Sequence, residues 1–234
     1  MLTLETVNLR RWHRAIVVFF AAIAVTGSSL MVRMPLVRET LEVTTAQLGI
    51  LLVCGAVGAL IGLSLVGRFI ARFGSRRAAL LGMTVWFVGT IVQIAALGTH
   101  SAMLFAIGGF VAGLGVGNTD VAINVDGSAI EQRLGRAALP RMHAAFSIGT
   151  FIGAGIGTLA SRLDINLLAQ MSAVAGLTVL LPLFTAKYLP ANNGMDDFAA
   201  KDPSSAKEPK VSVWRNRTVI YLSIAILGLT LAEG

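Results

Sequence analysis

Cysteine is nearly absent. The 234 residues include one, Cys54, and a single thiol inside an apolar run leaves neither an internal disulfide framework nor a zinc cluster; it reads as a small buried residue. Charge is scarce as well: Asp, Glu, Lys and Arg make up 13% of the chain, about half the share usual in soluble domains. Acids are the scarcer sign, with 12 against 19 Lys and Arg, for a net charge of +7. A basic balance raises nucleic acid as a partner, but these residues sit in short connections between apolar runs, where they govern membrane topology. Nucleic acid is therefore not an expected partner. No Gly-x-Ser-x-Gly nucleophile motif and no His-Glu-x-x-His metal pair occurs, which argues against a membrane hydrolase built on Asp120, His143 and Ser147 and implies no metal and no cofactor.

What is there is apolar. Hydrophobic residues make up 55% of the chain and mean hydropathy is +0.76. A transmembrane helix needs roughly 20 mostly apolar residues, and runs of that kind fall at about 15–34, 47–66, 78–97, 103–125, 144–162 and 167–188. The fold class is thus an all-α polytopic membrane protein, with the lipid bilayer as its first partner. The first run has the arginine-rich flank of a signal peptide, yet it is too long for one and more runs follow, so it reads as a retained helix. Residues 1–188 form the expected six-helix bundle. Residues 189–216, rich in Pro, Asp, Lys, Ser and Asn, cannot bury a core and read as a linker. Residues 217–234 read as the start of a seventh helix, cut at Gly234, so that the chain is expected to be a fragment.

Sixteen of the 19 Lys and Arg fall in alternate connections with the amino terminus and the linker, leaving only Arg33, Arg38 and Arg162 on the other side. By the positive-inside rule the amino terminus is cytoplasmic, in a plasma membrane of the bacterial inner-membrane kind.

Two glycine series stand out in the fourth and fifth runs: Gly109, Gly113, Gly117 and Gly149, Gly153, Gly157, each repeating every fourth residue. Such stripes let helix backbones approach within a bilayer. The same runs hold the concentrated polar groups at membrane depth, Asn118, Asp120, Asn124 and Asp126, then His143 and Ser147. Ionisable groups there are costly and mark pathways for ions or substrate.

Between the second and third runs lies Gly67-Arg-Phe-Ile-Ala-Arg-Phe-Gly-Ser-Arg-Arg77. It reads as a tight basic turn in which Gly67 and Gly74 allow the reversal. The plain reading is a positive-inside anchor. The spacing of Gly67, Arg72, Gly74, Arg76 and Arg77 also resembles the loop signature of the major facilitator superfamily, Gly-x-x-x-Asp-Arg-x-Gly-Arg-Arg. Six helices, a basic linker and the start of a second bundle resemble the amino-terminal half of such a transporter, which implies two inverted sets of three helices and a missing carboxy-terminal six-helix half. Arg33-Met-Pro35, Asn124-Val-Asp-Gly127 and His143-Ala-Ala-Phe146 are similar to a fucose-permease-like or sugar-permease-like bacterial branch. Two positions depart from the family: Ala71 replaces the loop acid, and Gly109 stands where an arginine is common. The charge network those groups supply in the family is missing, and the expectation is that Arg72, Arg76 or Arg77 meets Glu131 instead. The fifth run has the glycines of an antiporter-type motif without its proline, so an antiporter is not implied.

The resemblance implies that the first, fourth, seventh and tenth helices line a central cavity. Thr26, Ser29 and Arg33 share one helix face, as do Asp120, Asn124 and Glu131. The third and sixth runs lack acids and bases and are expected to face lipid. Asp120 reads as a proton carrier or as an acid paired in a helix contact. Asn124 suits a hydroxylated ligand or a helix tie, while Asp126, off the Asp120 face and near the loop, is expected to be solvated. His143 titrates near physiological pH and, with Ser147 one turn on, could relay protons or serve structurally. Arg33 could attract an anion or anchor the first helix; Glu233 would be a second proton carrier. The leading function is alternating-access transport of a small-molecule substrate, with protons as the coupling ion. Alternatives are a hydrophobic-drug exporter and a non-transporting scaffold or sensor.

Overall fold

In a computed structural model of the chain, α1 begins at Leu4, well before the first apolar run, and continues to Met31. The structure describes residues 4–193 and 220–221. The chain divides into two units, Met1–Phe198 and Ala199–Gly234. Most of the anticipated linker, the seventh helix and Glu233 lie outside the described residues.

After α1 come a short α2 (Met34–Thr40) and then α3 (Thr45–Phe73), α4 (Ser75–Gly98), α5 (Ala102–Leu134), α6 (Leu139–Arg162) and α7 (Leu167–Thr185), with a closing turn at Ala186–Tyr188. Six of these segments are long and apolar enough to cross a membrane: Asn8–Met31, α3, α4, α5, α6 and Leu167–Tyr188. The chain is an integral membrane protein.

Local chemistry fixes the helix ends. Thr44 and Gln47 form a reciprocal capping box at the start of α3, satisfying two otherwise orphaned backbone donors. Ser101 caps α5 and Asn166 caps α7. The short α2 was hidden by its lack of hydrophobic length, although Pro35 stands in its first turn, where the missing N–H costs nothing.

The turn between α3 and α4 is tighter than the sequence implies. Gly67 and Arg72 lie inside α3, Arg76 and Arg77 inside α4, and the reversal is made by Gly74 alone, at φ 83°. A side chain there would be strained and would also strike the carbonyl of Ala191. Gly67 has open space beside it and takes no part in the turn.

Glycines set the helix contacts. A Cβ at Gly113 or Gly117 would overlap the carbonyls of Gly55 and Ala59 on α3, and one at Gly58 or Gly62 would overlap α5 in return. A second glycine face of α5, Gly108 and Gly115, meets α4 at Gly89 and Trp86. On α6, Gly149, Gly153 and Gly157 press on Ala21, Val25 and Ser29 of α1. Gly109 is looser: a Cβ there would come no nearer than 3.4 Å, to the Gln93 side chain. Close backbone contact of this kind is how helices gain packing energy where lipid is as apolar as leucine.

The core has two parts. One, with Trp12, Phe19, Phe20, Met83, Ile123 and Met142, fills the arginine-rich end and the middle. The other, with Val37, Leu41, Leu97, Phe105 and Leu167, fills the opposite end. Leucines 177, 180, 181 and 183 of α7 lie on the outer surface, as do Leu81, Val88 and Ile91 of α4.

Candidate functional site

Polar side chains at membrane depth fall into two groups. The first is buried between α1 and α7. Thr26 donates to Thr178 Oγ1 at 2.7 Å, Gln170 Nε2 donates to Ser29 Oγ at 2.9 Å, and Arg33 Nη2 donates to the Ile165 carbonyl at 2.8 Å. The shared face of Thr26, Ser29 and Arg33 is therefore the contact with α7 and the loop before it, not a free surface. Arg33 is 4% exposed, and its Nε and Nη1 have no hydrogen-bond partner. Beside this group a cavity of about 540 Å³ is bounded by α1, α4, α5, α6 and α7, mostly apolar but with Thr26, Ser28, Ser29, Thr90, Gln93 and Thr150 in its wall.

The second group lies on the accessible surface formed by α5 and α6. Asp120, His143 and Ser147 are exposed and Asn124 is half-buried. Their hydrogen bonds stay within their own helices: Asn124 Nδ2 donates to Asp120 O at 2.9 Å and Oδ1 at 3.2 Å, and Ser147 Oγ donates to the His143 carbonyl at 3.3 Å. His143 is an electrostatic neighbour of Asp120, and its ring meets Phe20 of α1 edge-on at 5.1 Å. Two helices thus bring an acid, an amide, an imidazole and a hydroxyl to one face, each with bonding capacity to spare. Asn118 differs, with its Oδ1 buried and unpartnered.

At the arginine-rich end the sequence reading needs two corrections. Asp126 is fully buried, not solvated. It accepts from Ser75 Oγ at 2.6 Å and from Asn193 Nδ2, while the Ser75 N–H donates to the Asn193 carbonyl at 2.9 Å. The ring of Trp12 lies beside the same carboxylate, but neither its N–H nor Asp126 Oδ2 makes a hydrogen bond of bonding geometry. Asp126 thereby joins α5, the start of α4 and the segment after α7. Glu131 does not meet Arg72, Arg76 or Arg77; its Oε2 accepts from the N–H groups of Ala138 (2.8 Å) and Leu139 (3.1 Å), capping α6 where orphaned donors and the helix dipole favour an anion.

Sequence reasoning missed Ser75, Asn193, Gln170 and Thr178. An amide and a hydroxyl inside the apolar 167–188 run were the available signal for the last two. Nothing local pointed to the first two, which reach Asp126 across 51 and 67 positions.

Among the described residues, a helical membrane bundle joined by glycine contacts thus carries a polar open face on α5 and α6. A family model of the Major Facilitator Superfamily matches residues 15–232, and the chain belongs to that superfamily. It is similar to an uncharacterised MFS-type transporter of Yersinia pestis, 29% identical over 160 residues, covering 68% of this chain and 41% of that one. It is also similar to an uncharacterised transporter of Sinorhizobium fredii, 35% identical over 130 residues, covering 55% of this chain and 33% of the relative. The matches thus span less than half the length of either relative.

Proposed function

We propose that this chain is the amino-terminal half of a secondary transporter that moves a small polar solute by alternating access, coupled to protons, with the amino terminus in the cytoplasm of a bacterial inner membrane. The superfamily match supports transport over enzymatic chemistry. The observation that carries the finer reading is the open face of Asp120, Asn124, His143 and Ser147. A carboxylate and an imidazole in electrostatic contact can exchange a proton, and Asn124 can both donate to and accept from a hydroxylated solute. A missing six-helix half would close the cavity over this face, and rocking of the two halves would open it to each side in turn. The polar character of the face favours a sugar-like solute over the hydrophobic cargo of a drug exporter. The excess of Lys and Arg in alternate connections supports the orientation, and Gly74, Arg72, Arg76 and Arg77 supply the gating turn on the cytoplasmic side.

The test is uptake in vesicles containing the full-length protein, with a panel of small hydroxylated solutes and an imposed proton gradient. Asp120→Asn should abolish gradient-driven accumulation while solute exchange persists. Unchanged accumulation in that variant would defeat proton coupling through Asp120, and no uptake of any solute would favour a scaffold or sensor.

A further inference from the structure

The arginines at the amino-terminal end of the bundle are not equivalent. Arg11 and Lys187 lie over the ring of Tyr188, at 5.8 and 5.2 Å from its centre, and Arg133 lies over Trp12 at 5.1 Å. Those cations are held against aromatic faces, an arrangement that satisfies a guanidinium without an anion. Around the helix from them a separate pocket of about 240 Å³ gathers Arg10, His13 and Arg14 of α1 with Arg136 and Arg141 from the turn before α6 and its first residues. Arg14, Arg136 and Arg141 all come close enough to His13 to act on its charge. The nearest acid on α5, Glu131, is spent on the α6 backbone, and among the described residues no carboxylate pairs with these arginines. No Phe, Tyr or Trp lines the pocket; its remaining wall is Leu9, Leu134, Ala137 and Ala138.

Like charges drawn from two segments into one concavity repel, and the arrangement is stabilised when an anion neutralises it. Its position at the ends of two spans favours a phosphate. The membrane-crossing segments Asn8–Met31 and Leu139–Arg162 both begin here, at the level of lipid phosphates, and guanidinium forks match phosphate oxygens in pairs. Basic pockets between membrane helices bind anionic head groups in this way.

We propose that Arg10, Arg14, Arg136 and Arg141, with His13, form a binding site for a phosphate group at the membrane boundary. The apolar wall suits the glycerol and first acyl carbons of an anionic phospholipid; a soluble phosphate or phosphomonoester offers the same chemistry. The site is independent of the proposed transport pathway, so either reading can fail alone.

Native mass spectrometry of the full chain in neutral detergent, titrated with phosphatidylglycerol, phosphatidylcholine, glycerol 3-phosphate or inorganic phosphate, tests this. The comparison is between Arg14→Gln/Arg141→Gln and the charge-matched Arg68→Gln/Arg77→Gln, two arginines outside the pocket that are exposed just as Arg14 and Arg141 are. Each basic residue near an anionic surface is worth about 1 kcal/mol, so the pocket pair should weaken phosphatidylglycerol binding on the order of thirtyfold. The control pair should change it less than about threefold. Should the pocket pair fail to fold, Arg14→Lys/Arg141→Lys keeps both charges without the forks and should still bind several-fold more weakly. Displacement of the lipid by millimolar glycerol 3-phosphate or inorganic phosphate would assign the site to a soluble phosphate; resistance to both would assign it to the lipid. Equal losses in the pocket and control pairs, or phosphatidylcholine bound as tightly as phosphatidylglycerol with neither soluble phosphate retained, would overturn the proposal.

Discussion

The contact between α1 and α7 and the open face of α5 and α6 carry similar side chains in opposite circumstances. Thr26, Ser29, Gln170 and Thr178 make hydrogen bonds across helices, whereas the side-chain hydrogen bonds of Asp120, Asn124 and Ser147 all stay one turn away on their own helices. An interhelical bond fixes the distance between two helices. An i to i+4 bond fixes nothing beyond its own helix and leaves lone pairs and donors for another molecule. Polarity at membrane depth is therefore not enough to mark a pathway; what separates glue from pathway is where the bonds go.

That contrast can be broken at its frame first. Gly113→Leu would drive a side chain into the Gly55 backbone, parting α3 from α5 at a cost of about 3 kcal/mol or more, beyond ordinary overpacking because backbone cannot yield. Loss of a cooperative thermal transition in detergent is the expected readout.

Asp126→Ala comes next. It strands the Ser75 hydroxyl and the Asn193 amide, and the penalty for unpaired buried groups is about 1–3 kcal/mol. The variant should melt earlier, and proteolysis after residue 188 should quicken as the 191–193 segment loses its tether. Asp126→Asn should be milder, since the amide oxygen still accepts.

The glue itself is weaker. Ser29→Ala and Gln170→Leu should each cost about 1 kcal/mol, with a coupling of roughly 0.6 kcal/mol between them in a double-mutant cycle, typical of membrane helix pairs. Additive losses would show that the 2.9 Å bond contributes nothing.

Asp120→Asn should have the smallest effect on stability, within about 0.5 kcal/mol for an exposed site with no hydrogen bond to another helix. The same variant should abolish proton-driven accumulation. A large stability loss there would move Asp120 into the first group and dissolve the distinction.

The sequence displayed some of this plainly. Six spans are legible because hydropathy over 20 residues needs no partner to be read. Their ends are less so: α1 starts at Leu4 and α5 runs to Leu134, through arginines and acids that a hydropathy window treats as loop but a helix at the interface tolerates. The spacing of Thr26, Ser29 and Arg33 revealed a common face, and that of Asp126 revealed that it leaves the Asp120 face. What each face meets depended on packing: α7 for the first, Ser75 and Asn193 for the second. Periodicity reports direction on a helix, not the neighbour standing in that direction. The pocket of Arg10, Arg14, Arg136 and Arg141 was hidden for the same reason, since a charge count sums residues that the fold divides between aromatic faces and a shared cavity.

The distinction between the two polar groups is tested most directly by thiol accessibility. In a Cys54→Ser background of the full-length protein in native membranes, single variants Asn124→Cys, Ser147→Cys, Ser29→Cys and Thr178→Cys would be exposed to a membrane-impermeant maleimide from each side. Asn124→Cys and Ser147→Cys should react from at least one side, while Ser29→Cys and Thr178→Cys should stay unlabelled until denaturant is added. Equal protection of all four, or labelling of Ser29→Cys and Thr178→Cys alone, would contradict the distinction.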